Sequence, residues 1–233
     1  MFEEFPLENI LFLDIETAPV TYKYSQLDEG RKKMWDTKFR YQTTETPESH
    51  YIKAGIFAEF AKVICISVGA FKSGQFRLKS FYGDDEKKLL QDFFSLLSAH
   101  YNKDNHFLCA HNGKEFDFPF ICRRALINSL KLPPILNIAG KKPWEVKHLD
   151  TMELWKFGDY KNYTSLNLLA MVFGIPTPKD DIDGSDVARV YWEEKNLERI
   201  VTYCQKDVLT VAQLFLRFKG EALIVQEQVV IAN

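Results

Sequence analysis

The first regular pattern in the chain is an unbroken apolar run, Ile10-Leu11-Phe12-Leu13. A strand covered on both faces has this signature, so a strand is predicted over 9–15. Two β-rich runs, 62–71 and 75–82, flank Lys72-Ser73-Gly74 and predict a hairpin with a short loop. Between them and the first strand lies a polar stretch, 18–60, with only weak periodicity. It reads as a possible insertion, and a loop of that length inside a domain is expected to be functional or partly disordered.

Helical spacing takes over next. Leu89, Leu90, Phe93, Phe94, Leu96 and Leu97 recur on one face behind Asp84, the expected N-cap of a helix reaching about residue 100. A short buried strand is predicted over 106–110. Asp117 is the expected N-cap of a helix over 118–130, with Pro119 tolerated in its first turn. Another short strand, 146–149, ends at Asp150-Thr151, read as the cap of a following helix. Helices over 165–173, 185–195 and 197–218 lead to a C-terminal tail, 219–233, in which 223–231 is a strand or an extended arm. A hairpin followed by strand–helix alternation predicts an α/β fold, a mixed central β-sheet flanked by α-helices, in one domain spanning 1–233.

Charge narrows the partners little. Thirty basic and thirty-two acidic residues leave a net charge of -2, so any nucleic-acid binding must rest on local patches or metals. Four cysteines without a C-x-x-C pair fit a reducing compartment better than a disulfide framework or a zinc site. No apolar run reaches the ~18 residues of a membrane span, and the N-terminus is acidic where a signal peptide is basic. A soluble, cytoplasmic protein with no membrane partner is the expectation.

Three acidic sites run against their local patterns. In Asp14-Ile15-Glu16-Thr17, residues two apart share a strand face, so Asp14 and Glu16 point the same way at the carboxyl end of the first strand. His111-Asn112-Gly113-Lys114-Glu115-Phe116-Asp117 joins a strand to a helix, with Asn-Gly allowing a tight return. In the last helix, Asp207 falls beside Cys204 and Val208 within an apolar stripe, with Tyr203 one turn earlier. A carboxylate facing a core is rare unless it is paired or binds a metal. If the four acids converge, two divalent cations would cancel their charge, and hard oxygen ligands suit Mg²⁺ or Mn²⁺. Such a two-metal site performs in-line displacement at phosphorus.

Asp14-Ile15-Glu16-Thr17, Asn112-Gly113-Lys114-Glu115-Phe116-Asp117 and Tyr203-Cys204-Gln205-Lys206-Asp207, in that order, resemble the motifs of the DEDD 3'–5' exonuclease superfamily. The likeness is specifically to the proofreading exonucleases of family B DNA polymerases, and the chain also resembles a stand-alone family related to them, which shares sequence of the Ile182-Asp183-Gly184-Ser185-Asp186-Val187 kind. Tyrosine four residues before the last Asp marks the tyrosine (DEDDy) variant. The resemblance implies a ribonuclease H-like fold and a metal-dependent 3'–5' exonuclease releasing nucleoside monophosphates. Asp14, Glu16, Asp117 and Asp207 would hold two Mg²⁺ or Mn²⁺ ions, Tyr203 would orient the attacking water, Thr17 and Phe116 would contact the terminal nucleotide, and Asn112 would either orient the turn or touch the strand. The implied partner is a single strand with a free 3' end, DNA in preference to RNA. A chain of 233 residues leaves no room for a polymerase domain, so a stand-alone enzyme is expected.

Two other readings compete: a 3'–5' exoribonuclease, and a catalytically silent nucleic-acid-binding module. Arg31-Lys32-Lys33, Arg123-Arg124 and Lys141-Lys142 read as solvated charged faces, and Asp180-Asp181-Ile182-Asp183 as a turn.

Overall fold

The apolar opening strand, β1 (Ile10–Pro19), is buried on both faces because it runs through the middle of a sheet. In the computed structural model, which describes residues 2–41, 46–159, 163–176 and 182–232, β1 pairs antiparallel with β2 (Ala61–Lys72) and parallel with β4 (Phe107–Ala110). β2 forms the expected hairpin with β3 (Gln75–Tyr82). The short strands β5 (Leu149–Asp150) and β6 (Val229–Ile231) complete the order β5-β4-β1-β2-β3-β6. The sheet is mixed and helices cover both faces, as the element order predicts.

The two faces of β1 have different partners. Leu11, Leu13 and Ile15 pack into the core shared with α3 (Glu86–His100) and α4 (Asp117–Ile127). Ile10 and Phe12 meet Val208, Val211 and Phe215 of α8 (Leu197–Lys219). α8 lies close over the sheet: a Cβ at Gly69 would come within 2.3 Å of the Phe76 ring and 2.9 Å of Val208. By strand alternation, Asp14 and Glu16 extend the same face that carries Ile10 and Phe12, under α8.

Several boundaries depart from expectation. β1 continues past 15 to Pro19 because β2 offers it partners as far as Ala61. The helix over 86–100 is capped by Asp85, which accepts the Lys88 N–H at 3.0 Å, and not by Asp84. The strand expected over 146–149 shrinks to Leu149–Asp150. Asp150 caps α5 (Thr151–Lys156), and α6 (Leu166–Val172) follows within the expected range. The segment expected as a helix over 185–195 is a short α-turn, α7 (Val187–Arg189), running into the π-turn Val190–Glu194 and stopped by Lys195 at φ 54. The tail closes as β6 along β3.

The largest correction concerns 18–60. It is a folded subdomain in its described part, with α1 (Glu29–Phe39), α2 (Pro47–His50) and the 3₁₀ turn Tyr51–Ile56. Trp35 is fully buried against Phe39, Tyr51 and Phe60, and its indole N–H donates to the Pro47 carbonyl at 2.7 Å. Residues 42–45, and with them Thr43, Thr44 and Glu45, lie outside the described residues, as do Asp180 and Asp181. Arg31 and Lys32 are surface groups paired within α1's first turns. Arg124 is no solvated cation: it is buried and pairs with buried Glu86 at 2.6 Å.

Candidate active site

Three elements bring the acids together. Asp14 and Glu16 face α8 from β1, and the register shift between Glu16 and Thr17 is a bulge of the kind that re-aims side chains beside active sites. α8 turns its apolar stripe to the sheet and brings Cys204 against the two acids. The Asp14 and Glu16 carboxylate oxygens and Cys204 Sγ all lie within 4.8 Å of one another. Tyr203 hydrogen-bonds Asp207, whose charge acts on Asp14, Glu16 and Asp117.

Asp117 joins them through the turn after β4. Asn112 takes φ 61, and Gly113 admits no side chain, because a Cβ there would lie 2.4 Å from Ala110 Cβ. Asp150 shapes this turn from β5, accepting the N–H groups of Asn112 at 2.9 Å and Lys114 at 3.0 Å while capping Met152 and Glu153. The turn delivers Asp117 as the first residue of α4, with Phe116 before it. The N-cap role expected for Asp117 is therefore not realised. Its Oδ1 instead accepts the Ile15 N–H at 3.2 Å, which fixes α4 to β1 between Asp14 and Glu16.

The cluster is electrostatically costly without a counter-charge. Burial, then Glu16, Asp207 and Asp117, raise Asp14 well above the ordinary carboxylate range. Burial, then Asp207, Cys65 and Asp117, do the same to Glu16. Asp117 is pushed up to about 7 by burial, with Asp150 and Asp207 adding and backbone N–H bonds opposing. Tyr203 is raised by burial first, then by Asp207, Glu16 and Asp14, so its phenol keeps its proton. Asp14 Oδ2 is buried with no hydrogen-bond partner. A cluster of carboxylates with a buried, unpartnered carboxylate atom fits a hard divalent cation, for which the carboxylate oxygens and not Cys204 Sγ are the suitable ligands.

A pH signature follows for metal-free protein. Asp117 binds its proton more tightly folded than unfolded, where the ordinary value is 3.8. The stabilisation it provides is complete below that value and is lost as pH rises to about 7. In chelator, the wild-type stability relative to Asp117→Asn should therefore fall across this window, and saturating Mn²⁺ should abolish the fall. Denaturant melts at a series of pH values check it; a flat difference would remove Asp117 from the cluster.

The residues expected to touch substrate sit around a cleft of about 610 Å³ beside Glu16, lined also by Thr17, Phe116, Ile52, Ile56 and Ser185. The Thr17 hydroxyl is already committed, donating to the Gly55 carbonyl at 2.7 Å and tying the 51–56 turn to the site. Asn112 lies at a different cavity, described below. Sequence reasoning missed the 51–56 turn, because 18–60 offers no motif. It also missed Cys204's approach to Asp14 and Glu16, although Cys204 stands inside the third motif.

A six-stranded mixed sheet with flanking helices and acids converging under its last helix has the ribonuclease H-like architecture of polymerase-associated exonucleases. Over residues 55–228 the chain matches, and belongs to, the family described as "Predicted 3'-5' exonuclease related to the exonuclease domain of PolB". It is 22% identical over 146 residues to a DNA polymerase of Pyrococcus glycovorans and 25% identical over 145 residues to one of Desulfurococcus sp. (strain Tok). Each match takes in 57% of this chain and 18% of the polymerase. The fold superposes on a family B DNA polymerase from the hyperthermophilic archaeon Pyrobaculum calidifontis with a TM-score of 0.54 at 15% identity, over 90% of this chain and 24% of that one.

Proposed function

We propose that the protein removes nucleotides one at a time from the 3' end of single-stranded DNA, using two Mg²⁺ or Mn²⁺ ions and releasing nucleoside monophosphates. The observation that supports this reading is that Asp14, Glu16, Asp117 and Asp207 lie near enough to act on one another's charge, Asp14 carrying a buried Oδ2 without a hydrogen-bond partner. When bound, the ions would activate water and steady the leaving oxygen. The carboxylates of Asp14, Glu16, Asp117 and Asp207 would hold them. Tyr203 hydrogen-bonds Asp207. With its O–H donating a hydrogen bond to that carboxylate, the phenol oxygen can still accept a hydrogen bond from the attacking water and so aim the water's lone pair. Phe116 offers a face to the terminal base in the cleft beside Glu16.

The test uses oligonucleotides labelled at either end, with Mg²⁺ or Mn²⁺ and with DNA and RNA in parallel. A 5'-labelled DNA strand should shorten in single-nucleotide steps. No digestion with either metal, trimming from the 5' end, or faster digestion of RNA would overturn the reading. Tyr203→Phe should lower kcat by roughly 10–100-fold, the cost typical of losing an orienting hydrogen bond, with little change in KM. Its rate–pH profile should stay parallel to the wild type between about pH 6 and 9, because the phenol positions water and does not titrate.

A further inference from the structure

The 112–117 turn contributes Phe116 to the cleft beside Glu16, and Asn112, Lys114 and Glu115 to a second cavity of about 590 Å³. That volume falls within the ~300–1,000 Å³ of small-ligand pockets. Its walls are largely aliphatic, with Leu126, Leu132, Leu136, Ile138 and Met152 among them. Asn112 lines this cavity and its Oδ1 is buried without a donor, while the Asn112 backbone N–H is held by Asp150. A buried acceptor left open in this way calls for a ligand N–H.

The charges on the lining are unequal in kind. Lys114 is neutralised by Glu153 at 2.5 Å, and Asp150 is occupied by backbone N–H groups. Arg123, Lys141 and Lys156 form no ion pair among the described residues, and the acid that remains against them is exposed Glu115. Between the lining residues Lys141 and Val146, the turn Pro143–Glu145 presents Trp144, 76% exposed, with the Lys142 ammonium 5.2 Å from its ring centre. An aliphatic chamber with an open acceptor, three unpaired cations and an exposed indole suits a ligand with flat N–H-bearing rings and repeated negative charges.

We propose that this cavity binds the nucleotides upstream of the scissile bond, so that the single DNA strand passes over the 112–117 turn with its terminal nucleotide in the cleft beside Glu16. The assignment of the strand as upstream rests on the exonuclease reading above. One base enters the chamber and donates to Asn112 Oδ1, while Arg123, Lys141 and Lys156 take the phosphates. Trp144 stacks on a neighbouring base. A local patch of this kind lets a chain of net charge -2 hold a polyanion.

The experiment measures binding of dT2 and dT8 to the intact protein in EDTA, where no cleavage occurs, by fluorescein anisotropy over a range of salt and by tryptophan quenching. Wild-type protein should bind dT8 more tightly than dT2. The triple variant Arg123→Ala, Lys141→Ala, Lys156→Ala should lose at least about tenfold of that gain and lower the salt slope by about 2, from ~0.7 per phosphate contact on a single strand. Trp144→Phe should remove most of the quench. Lys33→Ala, Lys72→Ala, Lys87→Ala deletes the same charge from other elements and should cost no more than about twofold. Equal dT8 binding by wild type and the first triple variant, or equal weakening by both triples, would overturn the proposal. Hydrolysis of the p-nitrophenyl ester of thymidine 5'-phosphate by wild-type protein tests the acid cluster by itself. Strand binding through these cations without any hydrolysis would sink the exonuclease reading. Hydrolysis with dT8 binding indifferent to the first triple variant would sink the cavity assignment alone.

Discussion

Asp207→Asn is expected to lower turnover by at least about a thousandfold, roughly 4 kcal/mol of transition-state stabilisation, while making the metal-free protein more stable. Both effects have one cause. Asp207 raises Asp14 and Glu16 and contributes to the raised Asp117. Taking its charge away relieves repulsion in the empty cluster and removes a cation ligand at the same time. Wild-type protein should gain about 2.7 kcal/mol of stability at a Mn²⁺ concentration 100 times the Kd, and the variant should gain much less at that concentration. Asp14→Asn should behave in the same way, since Asp14 has the buried Oδ2 without a partner. Chelator and Mn²⁺ melts, run beside single-turnover digestion, separate the two effects. A variant within tenfold of wild type, or a wild-type protein indifferent to Mn²⁺, would remove the basis for a metal-dependent site.

What could be read from the chain beforehand was whatever local periodicity determines. The hairpin is fixed by two short β-rich runs and a Ser-Gly turn, and β3 spans the expected 75–82. Asp207 could be picked out because it interrupts a strong apolar stripe that the structure seats on the sheet. Where packing depends on residues far apart in sequence, the pattern carried no signal. α1 buries only Trp35 and Phe39, too few positions to show a helical period, and the partners that complete that core, Tyr51 and Phe60, come from later segments. The segment 187–194 has apolar residues at helix-like spacing, but a π-turn takes up its last five residues. Asp117 has the composition of a cap and is drawn instead to the Ile15 N–H, a contact 102 residues away in sequence. Asp14 and Glu16 were legible as a pair on one strand face; that Cys204 would lie against both depends on how closely α8 approaches β1.

Arg124→Ala should destabilise the protein by about 3–5 kcal/mol, the cost of leaving a buried charge without its partner. Arg124 and Glu86 are both buried and meet through two hydrogen bonds, Nε to Oε1 at 2.8 Å and Nη2 to Oε2 at 2.6 Å. Glu86 also accepts the Val63 N–H at 2.7 Å and the Asn128 amide at 2.8 Å, and Arg124 donates to the Ala58 carbonyl at 2.8 Å. The pair thus joins α3 and α4 to the start of β2 and to the chain that leaves the 51–56 turn. Without the guanidinium, the buried Glu86 carboxyl loses its counter-charge and two donors, and the Ala58 carbonyl loses its donor. For a chain of this size a loss of that order lowers Tm by very roughly 10 °C. Glu86→Gln with Arg124→Met should recover part of the loss, because no buried charge remains and the glutamine oxygen can still accept from Val63. Ala58 stands two residues beyond Ile56 in the wall of the cleft beside Glu16, so the single variant should also raise KM for strand substrate at temperatures where it is folded. Thermal melts of the single and double variants decide the point: if Arg124→Ala melts within about 2 °C of wild type, the pair does not hold α3, α4 and the cleft wall together.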